Sequence, residues 1–332
     1  MIKDTDDSFH EKNDDPYWNE SGWFSFMAPE RDLCGWIYFC HRANMNYSMA
    51  GFAVWDLSGE DTYDCLFYNF GDTYPLLPEF DMHNFRLPNG VELQCIEPFK
   101  KFRFINHNDN CKADLTWTAF MDPVEPGFPE EWGKHHYEQG GKMVGSIEVE
   151  GKIIDIDCWS CRDRSWGPRT VSVGGHPRSG FPWAIAKEGH GFIAFPTGNK
   201  PSEDDPAYGE EDNLIAGWYI KDGLVGVIVE GERTVTERGH DGRPLYSVLK
   251  AKDEHGRILE AEGRWVNWLK VTTYPFLFEW WSLVEWQFDG VTAWGEDEEF
   301  WPLQPARRFL RSHKTDQVHG RENVAAAGRG AP

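Results

Sequence analysis

Two short stretches concentrate the residues able to do chemistry. The first, His135-His136-Tyr137-Glu138-Gln139, runs into Gly140-Gly141, and the second is Arg162-Asp163-Arg164-Ser165-Trp166-Gly167-Pro168-Arg169. Residues two apart on an extended strand share a face, so His136 and Glu138 point the same way. They can serve as an acid–base pair or as two ligands of a metal. A metal needs a third ligand; His176, His190, Asp155 and Asp157 are available, but none stands at a diagnostic spacing, and no metal is expected. The plainer alternative is a histidine hydrogen-bonded to its neighbouring carboxylate with no catalytic duty. The same alternation puts Arg162 and Arg164 on one face and Asp163 on the other. Apolar surroundings would raise the Asp163 pKa and ready it for proton transfer, whereas an arginine partner would lower it again. The alternative is a buried Arg–Asp network that ties strand ends together. Trp166-Gly167-Pro168 reads as a bend, with the tryptophan plugging a barrel floor or stacking on an arginine. Arg169 can bind a carboxylate or carbonyl of a ligand, or cap a barrel end.

The elements that must position these groups are strands. "CGWIYFCH" (34–41), "YSMAGFAVW" (47–55), "VELQCIEPF" (91–99), "KFRFIN" (101–106) and "ADLTWTAF" (113–120) alternate apolar and polar residues with the period of a half-buried strand. Asn-Gly and Ser-Gly turns separate them, as antiparallel hairpins favour. "KMVGSIEVEGKIIDIDCWSC" (142–161) reads as two strands joined by the tight turn Glu150-Gly151-Lys152, and hairpins continue from residue 181 to 301. Helical periodicity is almost absent. The Pro-rich passage 121–134 reads as a long loop or a cap over a barrel mouth. The expectation is an all-β chain of two tandem domains, 1–133 and 134–306, each a small antiparallel barrel or sandwich, followed by a disordered tail at 307–332.

Composition narrows the function. The 332 residues are 40% hydrophobic and 15% aromatic, enough for a sizeable core, and carry a formal charge of −22 that repels phosphate backbones and anionic membranes. No stretch approaches the roughly 20 apolar residues of a spanning helix, and the acidic start "MIKDTDDSFHEKNDD" does not resemble a signal peptide, so a cytoplasmic protein is expected. Seven scattered cysteines suit reduced thiols; the Cys158-x-x-Cys161 spacing has no second pair to complete a zinc site. No phosphate-binding loop and no nucleophile elbow appear. Seventeen tryptophans exceed what a barrel needs to fill itself and suggest a cavity walled by aromatic rings, which can also stabilise a developing carbocation.

The run from His135 to Arg169 resembles the tandem lipocalin-like proteins related to AttH and to hydroxyneurosporene synthase, the carotenoid hydratase. The matching residues are His136, Glu138 and Gln139, then Arg162, Asp163, Arg164, Ser165, Trp166, Gly167 and Arg169. The resemblance is specific over about 35 residues and architectural elsewhere. Arg164 stands where hydratase-like relatives often have a histidine. It implies two packed lipocalin-like units with the first element leading into the second barrel.

The resulting expectation is a cofactor-independent acid–base enzyme, of hydratase or dehydratase, isomerase or cyclase type, acting on a hydrophobic isoprenoid, steroid or aromatic small molecule. Asp163 is the expected general acid, with His136 and Glu138 as base or relay. Arg162, Arg164 and Arg169 are expected to orient the substrate, with Gln139, Trp166 and Trp183 also touching it. A carrier that binds such a ligand unchanged is the alternative, and a homodimer is compatible with the sequence. Nucleic acid is not an expected partner.

Overall fold

Alternating side chains yield strands throughout the computed structural model, which describes residues 2–3, 5–76, 81–82, 84–128, 135–169, 178–198, 211–274 and 276–312. The eight main strands of the first sheet are β1 (Trp18–Ala28), β2 (Leu33–Arg42), β3 (Tyr47–Trp55), β4 (Val91–Glu97), β5 (Lys101–Asn108), β6 (Cys111–Ala119), β7 (His135–Val149) and β8 (Lys152–Pro168). Their order is β3-β2-β1-β8-β7-β6-β5-β4, all antiparallel, in a curled half-barrel. The second sheet contains β9 (Trp183–Lys187), β10 (His190–Gly198), β11 (Glu211–Lys221), β12 (Leu224–Arg238), β13 (Pro244–Asp253), β14 (Ile258–Trp265), β15 (Leu277–Phe288) and β16 (Val291–Pro302). Here β16 pairs with both β15 and β9, which closes an eight-stranded barrel. The chain is all-β, as expected.

The expected division at 133/134 does not coincide with the change of sheet. β7 and β8 form a long hairpin whose two turn residues, Glu150 and Gly151, both have positive φ (51° and 70°), the geometry that matches strand twist. That hairpin lies in the middle of the first sheet, between β6 and β1. The physical reason is core completion: Ile154, Ile156 and Cys158 on β8 deliver their side chains to the first core, and the outer edge of β1 needs a partner. The first sheet therefore extends to Pro168. The Pro-rich loop, described up to Phe128, leans on β7 through paired backbone hydrogen bonds between Val124 and Glu138 of 2.8 and 2.9 Å.

The expected tail also differs at its start. Residues 303–312 are helical, and Leu303, Ala306, Phe309 and Leu310 recur at helical spacing against the second core, with Phe309 edge-on to Trp301 at 5.6 Å. Residues 313–332, like His176 and positions 129–134, lie outside the described residues. No described helix is long and apolar enough to cross a membrane.

Candidate active site

The register of the first sheet lines up a row of side chains on its outer face, the one turned toward the barrel. Tyr38 on β2 lies opposite Trp23 on β1, Trp23 opposite Asp163 on β8, and Asp163 opposite Glu138 on β7. His136 comes two residues before Glu138 on the same face, as its spacing predicts, and the two share a short side-chain hydrogen bond. His136 Nε2 is also 3.8 Å from Asp163 Oδ2. From the barrel wall opposite come Glu279 and Trp281 on β15 and Glu298 and Phe300 on β16, where Trp281 pairs with Glu298 and Glu279 with Phe300. Between these surfaces lies a cavity of about 610 Å³, within the roughly 300–1,000 Å³ usual for small-molecule sites. Asp163, His136 and Arg169 line it, together with Trp23, Trp36, Phe195, Trp281 and Phe300.

The electrostatics are set by burial. Asp163 Oδ1 is buried without a hydrogen-bond partner among the described residues. Burial lifts its carboxyl to about 7, even though Arg169 and the Trp23 backbone N–H act to lower it. Glu138, wholly buried behind His136, is pushed well above the usual carboxylate range by burial and then by the charge of Asp163. On the opposite wall burial raises Glu279 to about 8, against the pull of the Thr273 hydroxyl, and pushes Glu298 well above the usual carboxylate range with help from Glu296 and Glu279. Arg169 donates to both the Tyr38 and Tyr274 hydroxyls and, at 2.8 Å, to Ser165 Oγ.

Several residues expected to touch a ligand do not line this space. Alternation turns Arg162 and Arg164 inward, into the curled sheet. Arg162 donates to both Asp7 carboxylate oxygens (2.9 and 3.1 Å) and to Gln139 Oε1 (2.8 Å), with its guanidinium 4.5 Å from the Phe102 ring. Arg164 is paired with Glu20 and donates to the Ser8 carbonyl at 3.0 Å. Gln139 spends its amide hydrogens on the Phe99 and Met121 carbonyls. Trp166, at the bend where Gly167 takes a φ of 115°, is stacked by His10 at 4.0 Å and His135 at 5.0 Å, with Arg164 at 5.6 Å. Trp183 is buried and donates to Glu296 at 3.2 Å. The inward-facing groups thus build the first core and clasp the N-terminal segment, while Asp163, His136 and Arg169 alone of the named residues reach the cavity.

The metal candidates divide likewise. His190 pairs with Asp289 at 2.9 Å and Asp157 with Lys142 at 2.6 Å, and neither lines the cavity, nor does Asp155. Asp163 instead supplies the third group that His136 and Glu138 lacked: one ligand atom from each of the three lies within 4.8 Å of the others. Cys158 and Cys161, three apart on a strand, face opposite ways; Cys158 Sγ accepts from the Met27 N–H, and Cys161 sits beside Glu138.

A family model described as a domain of unknown function (DUF7064) matches residues 3–301. The chain belongs to that family. No curated protein matches this DUF7064 member. Its fold is that of an AttH-like protein of Nitrosomonas europaea (TM-score 0.60, 13% identity, covering 85% of this chain and 92% of that one). It is also that of CghA (0.56, 11%, 86% and 88%) and of kievitone hydratase from Nectria haematococca (0.51, 16%, 85% and 88%). At these identities the likeness is one of fold, and it bears out the expected resemblance to AttH-like proteins.

Glu279, Glu298 and Tyr274 were not singled out by sequence reasoning, and Tyr38 stood only within the strand-like run 34–41. A signal existed for one of them, Glu298. The run Glu296-Asp297-Glu298-Glu299 sits between tryptophans inside a strand, so both faces carry acids and one at least must bury them. In the fold 296 and 298 face the first sheet while 297 and 299 face the barrel lumen.

Proposed function

We propose that this DUF7064 protein is a proton-transfer enzyme of hydratase or dehydratase, isomerase or cyclase type, acting without a cofactor on a hydrophobic, ring-bearing small molecule. The observation that carries the reading is Asp163. One of its carboxyl oxygens, Oδ1, has no hydrogen-bond partner among the described residues, and the group lies at the wall of an aromatic cavity and titrates near neutrality, where it can both give and accept a proton. His136, hydrogen-bonded to Glu138 and near Asp163, is placed to relay that proton. A neighbour of the same fold is named a hydratase, which agrees with this class of chemistry. A carrier could afford to lock both groups in salt bridges; Asp163 has no arginine within salt-bridge distance among the described residues, which favours the enzyme.

The test is incubation of the purified protein with terpenoid, steroid and lignin-type aromatic compounds, following bound ligand and mass change by chromatography–mass spectrometry, beside Asp163→Asn. A compound transformed by wild type and only bound by the variant supports the enzyme. A compound retained unchanged by both establishes the carrier, and transformation that survives in Asp163→Asn removes this residue from the reaction.

A further inference from the structure

The polar end of the cavity has a hydrogen that nothing in the described structure accepts. Tyr38 and Tyr274 come from different halves of the molecule, one on β2 and one just before β15, and their hydroxyls are hydrogen-bonded to each other. Arg169 Nη1 donates to both phenol oxygens, so each is already an acceptor. Two hydroxyls own two hydrogens, and only one lies between them. The second has no acceptor among the described residues, although both rings line the cavity. Burial raises both phenols, foremost among the causes, so they stay protonated and remain donors. The vacant donor is backed by a guanidinium, which strengthens it toward an acceptor that gains negative charge.

Charge balance says what kind of acceptor fits. Among the described residues Arg169 is the arginine that lines the cavity, and Asp163 is a carboxylate whose field acts on it. A ligand carboxylate would add a permanent second anion beside Asp163, in a space whose burial already disfavours the charged forms of Glu279 and Glu298. A neutral ketone adds none until the reaction begins.

Resting on the reading of this cavity as a proton-transfer site, we propose that its substrate carries a ketone or enone oxygen bound by the Tyr38–Tyr274–Arg169 group. Asp163 carboxylate takes a proton from the carbon beside the carbonyl: the C–H bond breaks and an O–H bond forms on Asp163. The electron pair moves onto the carbonyl oxygen as an enolate held by the tyrosine hydroxyl. The negative charge passes from Asp163 to that oxygen with the total unchanged. Returning the proton to another carbon isomerises the double bond. Passing it to a departing β-hydroxyl releases water and leaves the enone, and hydration is the reverse. Tyr38 and Tyr274 are thereby catalytic residues, and Arg169 is a positioning residue acting through them.

The test uses 6-cyano-2-naphthol, whose ionised and neutral forms absorb at different wavelengths, with naphthalene as the oxygen-free control. The full chain is titrated with each at pH 6. The expected result is that bound naphthol shows the spectrum of the ionised form, and that Tyr38→Phe and Tyr274→Phe each weaken its binding tenfold or more while naphthalene binding stays within twofold. Naphthol bound in its neutral form, with affinity equal to that of naphthalene in all three proteins, would overturn the oxygen site and leave the proton-transfer reading standing. Equal loss of both probes in the tyrosine variants would reduce the pair to packing. Failure of wild type to bind either probe would sink the cavity reading together with this inference.

Discussion

Asp163, half-buried, and Asp297, wholly buried, are aspartates whose carboxyls desolvation lifts to about 7, yet only one belongs to the candidate site. Asp297 lies in the lumen of the closed barrel, where Arg233 donates to it at 3.0 and 2.9 Å and Ser247 at 3.3 Å. Arg233 also reaches Asp212 and Glu299, while Arg178 and Arg238 hold the other sides of those two acids. Asp163 faces open space and has a histidine as its neighbour. The difference teaches that a raised carboxyl pKa is not by itself a mark of chemistry. An acid held by arginine in a barrel lumen ties strands together; the same group beside a cavity can move a proton.

The largest effect that could break this contrast is on turnover. Once a substrate is in hand, Asp163→Asn is expected to cost roughly 10²–10⁴-fold in kcat, the usual contribution of a positioned acid–base group. Asp297→Asn should leave kcat within about threefold. Equal losses would erase the distinction between the two aspartates. Next in size, Arg233→Met leaves three buried carboxyls without their shared cation and should destabilise by about 3–5 kcal/mol in urea unfolding, with ligand binding retained in the folded fraction.

The third test concerns the sign of pH dependence. A carboxyl at about 7 in the fold and at its model value of 3.8 when unfolded keeps its proton longer in the native state. Its contribution to stability is complete below pH 4 and is lost as pH rises to 7. Asp163→Asn abolishes that loss, so the variant should be more stable than wild type by about 2–4 kcal/mol at pH 8 and nearly equal at pH 4, read from denaturant midpoints at both pH values. A variant no more stable at pH 8 would mean that Asp163 is compensated after all. The smallest effect sharpens the barrel side: Phe309→Ala, which removes a half-buried ring from the helix over Trp301, should cost about 1 kcal/mol and leave the cavity unaffected.

Local rules made part of this legible in the sequence. Alternation alone put Asp163 opposite in face to Arg162 and Arg164 and paired His136 with Glu138, because the period of a strand is fixed by its pleat. It could not say which face meets the cavity. That follows from register across β1 and β8, set by contacts between residues such as Ser21 and Ser165 that are 144 apart in the chain. For the same reason the first sheet was cut short at 133, since the Pro-rich loop looks like a boundary to any reading that sees only neighbours. Asp7 was equally hidden: nothing near it in sequence shows that Arg162 will need a carboxylate. The opposite wall was closer to view, in four consecutive acids flanked by tryptophans, and the helix over Trp301 in the spacing of Leu303, Ala306 and Phe309.

The pairing of β1 with β8 also bears on how the chain is made. During synthesis at roughly 5–20 residues per second, the gap of 144 residues corresponds to roughly 7–30 s in which β1 has been produced and its eventual neighbour has not. Throughout that wait one edge of the β1–β2–β3 meander, bearing Trp23, Phe24 and Phe26, is an open template for any other nascent strand. Slow translation between residues 28 and 152 would lengthen the exposure, and a holdase acting on the emerging N-terminal meander would be the natural remedy.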